Sequence, residues 1–322
     1  MSVTPNARAA SSEAPRVVLL GPQFHEPTVG AVVRDLGLKG RVATITAGWQ
    51  EWEAEDAALA RDLAGRAMPL RVYERAERVW EADPELRAEH TAMQADLKAL
   101  RGLYNQQLEP AAHAWVQLLE SDAPEHLLDP ERNAALEAIQ RLDDRLLSRT
   151  AEIREAFEAR LRPLERDAVA KERVQIASEL AAASAVVIEG GHIAVLLNRL
   201  ALFGVPDLLT EKTVIGCAGG AMALCRRVAL YNDSPAIGRG HAEVCLSGLG
   251  LAPGILALPD ASQRLRLDDA ARMRRLALRV APDVCALLDA GARLEWNGSV
   301  WTGVGSTKVL ADGSLQQWER AA

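Results

Sequence analysis

A long stretch with almost no glycine, residues 84–182, interrupts this chain. Within it, apolar side chains recur every three, four or seven residues, which is typical of amphipathic helices. Short apolar runs alternate with helical patterns on both sides, as at residues 15–21 and 41–46 before it and 184–191 and 213–220 after it. Strands that alternate with helices indicate a parallel sheet. We therefore predict an α/β fold with a doubly wound, mostly parallel sheet and an inserted α-helical hairpin or bundle.

These patterns divide the chain into four segments. We expect a disordered leader at residues 1–15, the α/β domain at 16–83 and 183–322, and the helical insertion at 84–182. The insertion either packs on itself as a solvated arm or offers a surface for a homodimer or a protein partner. Apolar stripes of this kind serve both roles, so the sequence favours neither.

Local patterns give further expectations about individual elements. Residues 51–64 predict a helix and residues 69–73 a strand, while residues 284–310 predict terminal strands and hairpins. Pro110 and Pro163 predict breaks or kinks, because proline lacks the N–H that continues a helix.

The composition argues against several classes of protein. A formal net charge of -7 and a pI near 5.5 disfavour a nucleic-acid partner, since such proteins gather lysine and arginine against phosphate. No apolar run approaches the roughly 20 residues that cross a bilayer. Residues 1–15 lack the apolar core of a secretory signal. We therefore expect a cytoplasmic protein with no membrane partner.

The cysteines give no sign of a metal or cofactor site. They lack the CxxC spacing and the histidine intervals of a zinc finger, which predicts reduced thiols and no metal. These cysteines are Cys217, Cys225, Cys245 and Cys285. His241 and Glu243 would share one face of a strand, but no third ligand is evident. We expect no cofactor.

Residues 216–220, Gly-Cys-Ala-Gly-Gly, have the pattern of a hydrolase nucleophile elbow. Such a turn needs small residues two before and two after the nucleophile, because the strand must bend sharply into a helix. In this register Ala218 takes the nucleophile position and has no atom with which to attack. A shift by one would put Cys217 at the tip, but Ile215 would then crowd the turn. The Ala218 register is therefore favoured.

Four motifs together resemble the peptidase E and cyanophycinase family, which belongs to the class I glutamine amidotransferase-like group. They are Glu-Gly-Gly-His at 189–192, Gly-Cys-Ala-Gly-Gly-Ala at 216–221, Asn-Asp-Ser-Pro at 232–235, and the segment 253–264. The resemblance is strongest over residues 185–266 and does not explain the helical insertion. It implies the fold of that group.

The resemblance also implies where the catalytic residues of the family would fall. Its serine corresponds to Ala218, its acid to Asp233, and its later histidine to Asp260. A serine needs a neighbouring base to remove its proton, so loss of both partners leaves little reason to expect serine hydrolysis. We expect a catalytically inactive protein that binds a small peptide or amide-like ligand or serves in assembly.

Other residues near these motifs could contact a ligand. Backbone N–H groups of four glycines could face an oxyanion or a carboxylate, although glycines equally serve tight turns. These glycines are Gly190, Gly191, Gly219 and Gly220. His192 is a further candidate. His25 follows the first strand at the edge where α/β sheets bind ligands, although a lone loop histidine is more often a surface or capping residue.

The alternative function is a residual hydrolase of small peptides or amides. It would use Cys217 or an unrecognised nucleophile, with His192 or His241 as the base. A small cysteine at the end of a strand more often fills the core.

Overall fold

The computed structural model describes residues 16–209, 211–231 and 243–320. The leader at 1–15, the acid position Asp233 and the candidate base His241 lie outside the described residues.

The described strands and helices follow one another along the chain. The strands are β1 (Val17–Leu20), β2 (Val42–Ile45), β3 (Ala67–Pro69), β4 (Ala185–Ile188), β5 (Thr213–Cys217), β6 (Arg227–Leu230), β7 (Glu243–Ser247), β8 (Ile255–Pro259), β9 (Val284–Leu288), β10 (Arg293–Trp296), β11 (Trp301–Val304), β12 (Thr307–Val309) and β13 (Leu315–Gln317). The helices are α1 (Val29–Asp35), α2 (Ala57–Asp62), α3 (Val72–Ala82), α4 (Pro84–Leu119), α5 (Glu125–Leu161), α6 (Asp167–Ala182), α7 (Ile193–Leu202), α8 (Val205–Leu208), α9 (Gly219–Leu224), α10 (Ala261–Arg264) and α11 (Ala270–Val280). Short 3-10 segments occupy Ala47–Trp52 and Pro163–Glu165.

The main sheet has the order β11-β10-β1-β5-β4-β2-β3. Five of its strands are parallel to their neighbours among themselves: β1, β5, β4, β2 and β3. The other two, β10 and β11, are antiparallel to their neighbours. A smaller sheet has the order β13-β12-β9-β8, and β6 pairs with β7. The prediction of a mixed α/β protein with a large, parallel-rich sheet and long helices is thus confirmed.

Both faces of the main sheet are buried. Successive residues of β1 alternate between faces, so that Val17 and Leu19 join one apolar cluster while Val18 and Leu20 join another. Helices α1 and α2 cover the second cluster, and α3, α6, α7 and α9 contribute to the first. The sheet therefore has helices on both faces, which leaves the ends of its strands as the place where a cleft can open.

Helices α4 and α5 lie along each other and bury an apolar cluster of their own. Its buried members are Tyr104, Leu108, Ala112, Trp115, Ile139 and Leu146. Leu278 of α11 packs against this cluster, and Arg279 of α11 donates to the buried Asp143 of α5 at 2.8 and 2.9 Å. The two long helices are thus fixed to the body of the protein, and α6 contributes Ile176 and Leu180 to the main core.

The helix predicted at 51–64 is wrong in its extent. The structure has the 3-10 segment Ala47–Trp52 followed by the short α2. Gln50, with φ 59° and ψ -126°, breaks the first of these. The left-handed φ of Gln50 interrupts the helical hydrogen bonds. The spacing of apolar residues in the sequence does not indicate such a break.

The predicted strand at 69–73 is also wrong, and of the break or kink predicted at Pro110 the break does not occur. β3 ends at Pro69, and α3 begins at Val72 because the Glu53 carboxylate accepts the N–H groups of Tyr73 and Glu74 at 3.0 and 2.9 Å. Pro110 lies inside the continuous α4, whose packing against α5 offsets one lost hydrogen bond.

None of the described helices is both long enough and apolar enough to span a bilayer. The cytoplasmic location stays a prediction.

Candidate active site

A cleft of about 580 Å³ opens where β1, β2, β4 and β5 end. Parallel strands end at the same edge, which brings the loops that follow them together. The loop after β1 contributes Phe24 to the cleft wall, and β5 contributes Ala218 at its end. Trp49 and Trp52 come from the segment after β2. The segment after β4 contributes Glu189, Gly190 and Gly191.

Ala218 forms the tip of a sharp turn between β5 and α9. Its φ of 49° and ψ of -117° lie in a region that L side chains rarely adopt, and its N–H donates to Leu20 O at 3.0 Å. A Cβ atom on Gly216 would lie 2.7 Å from Leu224 Cδ1, and one on Gly220 would overlap the carbonyl oxygen of Ile188. The small residues two before and two after Ala218 are therefore sterically required, as in a nucleophile elbow.

Two glycines, Gly48 and Gly191, let the loops after β2 and β4 meet backbone to backbone. A Cβ atom on Gly48 would overlap Gly190 O, and one on Gly191 would overlap Gly48 O. The N–H of His192 donates to Gly48 O at 2.7 Å. Gly191 has φ 97°, which glycine adopts without strain. This contact holds Trp49 against the segment that carries Gly190.

The structure brings the predicted glycine pairs together beside Ala218. A Cβ atom on Gly190 would lie 2.7 Å from the nitrogen of Gly219 and 3.3 Å from the Cβ of Ala218. Gly219 and Gly220 are buried beneath the tip, whereas Gly190 and Gly191 line the cleft. Turn geometry and backbone approach both require these glycines, and their role as an anion hole stays a prediction.

Glu189 is a buried carboxylate in the wall of the cleft. It is 7% exposed, and its Oε1 has no hydrogen-bond partner among the described residues. Burial raises its pKa to about 7, and interactions with the Cys217 thiol and the Gly190 N–H oppose that shift only in part. The carboxyl group is therefore close to half ionised near neutral pH.

Cys217 lies on the side of the sheet that α1 and α2 cover. It is fully buried in that apolar cluster. Burial raises the pKa of its thiol well above the usual range, and the neighbouring Glu189 adds to the shift. A thiol must ionise to attack, so these surroundings disfavour Cys217 as a nucleophile.

The two predicted histidines that lie within the described residues, His25 and His192, are at the surface. His192 caps α7, where its Nδ1 accepts the N–H of Val195 at 3.3 Å, and its side chain is exposed. His25 is exposed and packs edge-on against the Phe24 ring at 4.9 Å. Neither is among the described residues that line the cleft. The structure thus favours the capping interpretation for His192.

Asp260 follows β8 of the smaller sheet. It has φ 55°, precedes α10, and its half-exposed carboxylate is 3.9 Å from Arg264. It is not among the described residues that line the cleft. Of the predicted site residues, the structure therefore places Ala218, Gly190 and Gly191 in the cleft wall and leaves Asp260, His25 and His192 outside it.

Sequence reasoning missed Glu189 and the two tryptophans as wall residues. An acid directly after the apolar run of β4 was a usable signal, because a charge at the end of a buried strand lies at the ligand-binding edge. The Trp-Gln-Glu-Trp sequence at 49–52 had no such signal, since its fold depends on the strained Gln50. Within the described ranges, no three His, Cys, Asp or Glu side chains form a group that could hold a metal ion.

Comparisons with known proteins give weak matches. Residues 18–123 match the family model described as plasmid replication region DNA-binding N-term. The structure of a peptidase from an acI-B1 Actinobacterium is similar at 12% identity and a TM-score of 0.42, over 96% of each chain. A putative peptidase E protein from Listeria monocytogenes EGD-e is similar at 15% identity and a TM-score of 0.29, over 41% of this chain and 64% of that one. No curated protein matches the chain.

Proposed function

We propose that this chain is a peptidase E-like protein of the class I glutamine amidotransferase-like group that lacks its nucleophile and binds a small ligand at the elbow. The observation that carries the proposal is Ala218 at the tip of the turn, with φ 49° and ψ -117°, in the wall of an open cleft. The turn has the shape that presents a nucleophile, and alanine has no atom to attack with.

The backbone strain at Ala218 supports a site at this position. A non-glycine residue in such a region costs about 1–3 kcal/mol and persists only where the surrounding structure imposes it. Here the Leu20 and Ile188 backbones impose it from β1 and β4. Strained residues of this kind cluster at ligand-binding sites, which favours binding as the remaining role.

The alternative, a residual cysteine hydrolase, has less support. Cys217 is fully buried in the apolar cluster that α1 and α2 cover, and His192 uses its Nδ1 to cap α7. Neither residue is among the described residues of the cleft wall. A cysteine mechanism with His192 as the base would need both groups to leave these positions.

The match of residues 18–123 to a DNA-binding family does not lead us to propose a nucleic-acid partner. In this segment β1, β2 and β3 belong to the main sheet, where β1 pairs with β5 and β2 with β4. Acidic side chains also outnumber basic ones over these residues. We expect no mobility shift of duplex DNA at low salt, where non-specific binding is strongest. A shift that salt abolishes would contradict this expectation.

Assembly through the long helices is not the function that we favour. The apolar stripes of α4 and α5 pack against each other and against α11. This burial favours internal packing over a partner for those stripes.

A hydrolysis assay with short peptides and peptide amides tests the proposal. We expect no turnover by the wild type or by C217A. The A218S/D260H variant supplies the two missing groups and tests whether they can act together. Because Asp260 lies outside the cleft wall, a gain of hydrolytic activity that requires both substitutions would also show that the residue after β8 can reach the elbow. Wild-type turnover that C217A abolishes would overturn the proposal in favour of the cysteine hydrolase.

Binding is measured in parallel from the fluorescence of the cleft tryptophans. We expect Trp52→Ala to weaken peptide-amide binding and Trp301→Ala, on β11 and away from the cleft wall, to leave it unchanged. Equal effects of the two changes would place the ligand elsewhere.

A further inference from the structure

We propose that the cleft selects a small organic cation, an ammonium group on an apolar body. This inference rests on the proposed binding function and names the chemical class of its ligand. It follows from three features of the wall: its charge, one buried carboxylate and its aromatic side chains.

All formal charges on the described cleft wall are negative. Glu55, Asp62 and Glu189 line it, and no lysine or arginine side chain is among its described residues. An anionic ligand would meet uncompensated repulsion there, since a wall of one sign concentrates ions of the opposite sign. The cleft therefore favours a cation.

Glu189 is the carboxylate that remains available to such a ligand. The Asp62 carboxylate already accepts the N–H of Gly30 at 2.7 Å, and Glu55 is exposed to solvent. Glu189 Oε1 is buried without a hydrogen-bond partner among the described residues. A buried acceptor without a partner is expensive, and an ammonium donor would satisfy it.

Three aromatic rings complete the wall. Trp49 is half-buried, whereas Trp52 is 63% exposed and Phe24 is 90% exposed. Large exposed aromatic side chains around a concave site are typical of ligand recognition. Their faces attract cations, and the attraction is strongest for tryptophan.

The position of the tryptophans is fixed by the backbone. Gln50, between them, has φ 59° and ψ -126°, in the same rare region as Ala218. Trp49 also follows Gly48, whose carbonyl accepts the N–H of His192. Two strained non-glycine turns thus flank one cleft, as expected where strain positions binding groups.

Two sources could supply this chemistry: a free primary ammonium compound or the amino terminus of a short peptide. Protonated 3,3-dimethylbutan-1-amine and its neutral counterpart 3,3-dimethylbutan-1-ol test the first. Alanyl-alanine amide and its N-acetyl derivative test the second. The first pair has nearly the same shape and differs in one positive charge. In the second pair, acetylation removes the charge and also adds a two-carbon group.

The test is titration calorimetry of the full chain with the four probes, above the pKa of Glu189. We expect at least one cation to bind about tenfold more tightly than its neutral partner. We expect Glu189→Gln, which keeps the shape and removes the charge, and Trp52→Ala each to reduce that selectivity. Glu155→Gln, an exposed change on α5, is the matched control and should leave it unchanged.

The outcomes separate this inference from the function on which it rests. Equal affinity for the charged and neutral members of both pairs, with Trp52→Ala still weakening both, would overturn cation selectivity and leave the binding function intact. Cleavage of alanyl-alanine amide by the wild type would instead overturn the proposed loss of catalysis. Binding by none of the four probes would overturn the inference. A preference that Glu189→Gln leaves unchanged would also overturn the role of this carboxylate.

Discussion

The amide nitrogen of His192 donates to the carbonyl oxygen of Gly48 across 2.7 Å and joins the loop after β4 to the loop after β2. Because Gly48 and Gly191 have no side chains, the two backbones can approach this closely. The joined loops carry Trp49 and Glu189 on neighbouring parts of the cleft wall. Residues far apart in sequence are in this way held in one binding site.

The elbow requires glycine at position 220. A Cβ atom there would overlap the carbonyl oxygen of Ile188, so we expect Gly220→Ala to lower the free energy of unfolding by about 3 kcal/mol or more. The control is Gly102→Ala on the exposed face of α4, where a Cβ atom meets nothing within 4 Å. That change should raise stability by about 0.5–1 kcal/mol. Chemical denaturation measures both, and similar effects at the two sites would contradict the elbow geometry.

The large elements of the fold could be predicted from sequence because burial controls them. The strands β1, β2, β4 and β5 are short apolar runs buried on both faces, and α4 and α5 have long apolar stripes. The α3 helix was missed because its start depends on a residue far before it in the sequence. The carboxylate of Glu53 accepts the N–H groups of Tyr73 and Glu74. Capping from a distant segment leaves no local signal.

A buried ion pair fixes the long helices to the body. Arg279 donates to Asp143 at 2.8 and 2.9 Å, and Tyr104 also donates to Asp143 at 2.7 Å. Asp143→Asn leaves the buried guanidinium of Arg279 without its counter-charge, so we expect the free energy of unfolding to fall by about 3 kcal/mol. We also expect faster hydrogen exchange in α4 and α5. The exposed neighbour Asp144→Asn should change stability by no more than about 0.5 kcal/mol, and an equal loss there would contradict the assignment.

The stability of the protein should depend on pH through Glu189. Its pKa is about 7 in the folded chain against 4.5 for an ordinary glutamate, because burial favours the neutral form. The folded state therefore holds the proton that the unfolded state releases, and stability falls as pH rises from about 4.5 to about 7. This single group accounts for about 3 kcal/mol of that fall.

Glu189→Gln tests this pH dependence, since glutamine cannot ionise. The variant should be more stable than the wild type above pH 7 and should lack this part of the fall. The neighbours of the carboxyl, the charged Asp62 on α2 and the neutral thiol of Cys217 on β5, keep their identity in the variant. Parallel pH profiles for Glu189→Gln and for the exposed control Glu155→Gln would contradict the raised pKa.

The accessibility of the elbow tip is tested with a thiol. In the Ala218→Cys variant, the new thiol lies in the cleft wall while Cys217 stays buried. We expect iodoacetamide to alkylate position 218 at least about tenfold faster than position 217, because burial keeps the Cys217 thiol protonated. Peptide mass spectrometry after digestion assigns the label to each cysteine. Faster labelling of Cys217 would place that residue at the tip.

The sequence identified the elbow but not the composition of its cleft. The spacing of Gly216 and Gly220 is a local constraint, and it is readable in five residues. Which side chains surround Ala218 depends on how the loops after β1, β2 and β4 meet, and that depends on backbone contacts at Gly48 and Gly190. The positions of Asp260 and His192 likewise depend on tertiary packing, because each begins a helix outside the cleft wall.

The most direct test of the account is a ligand-observed NMR experiment on the wild type with alanyl-alanine amide. Saturation transfer reports binding, and the same spectra followed over time report whether the peptide bond survives. We predict that the probe binds, that it stays intact, and that Trp52→Ala reduces the transfer. A probe that is cleaved, or one that binds equally well to Trp52→Ala, would contradict a nucleophile-free binding site at Ala218.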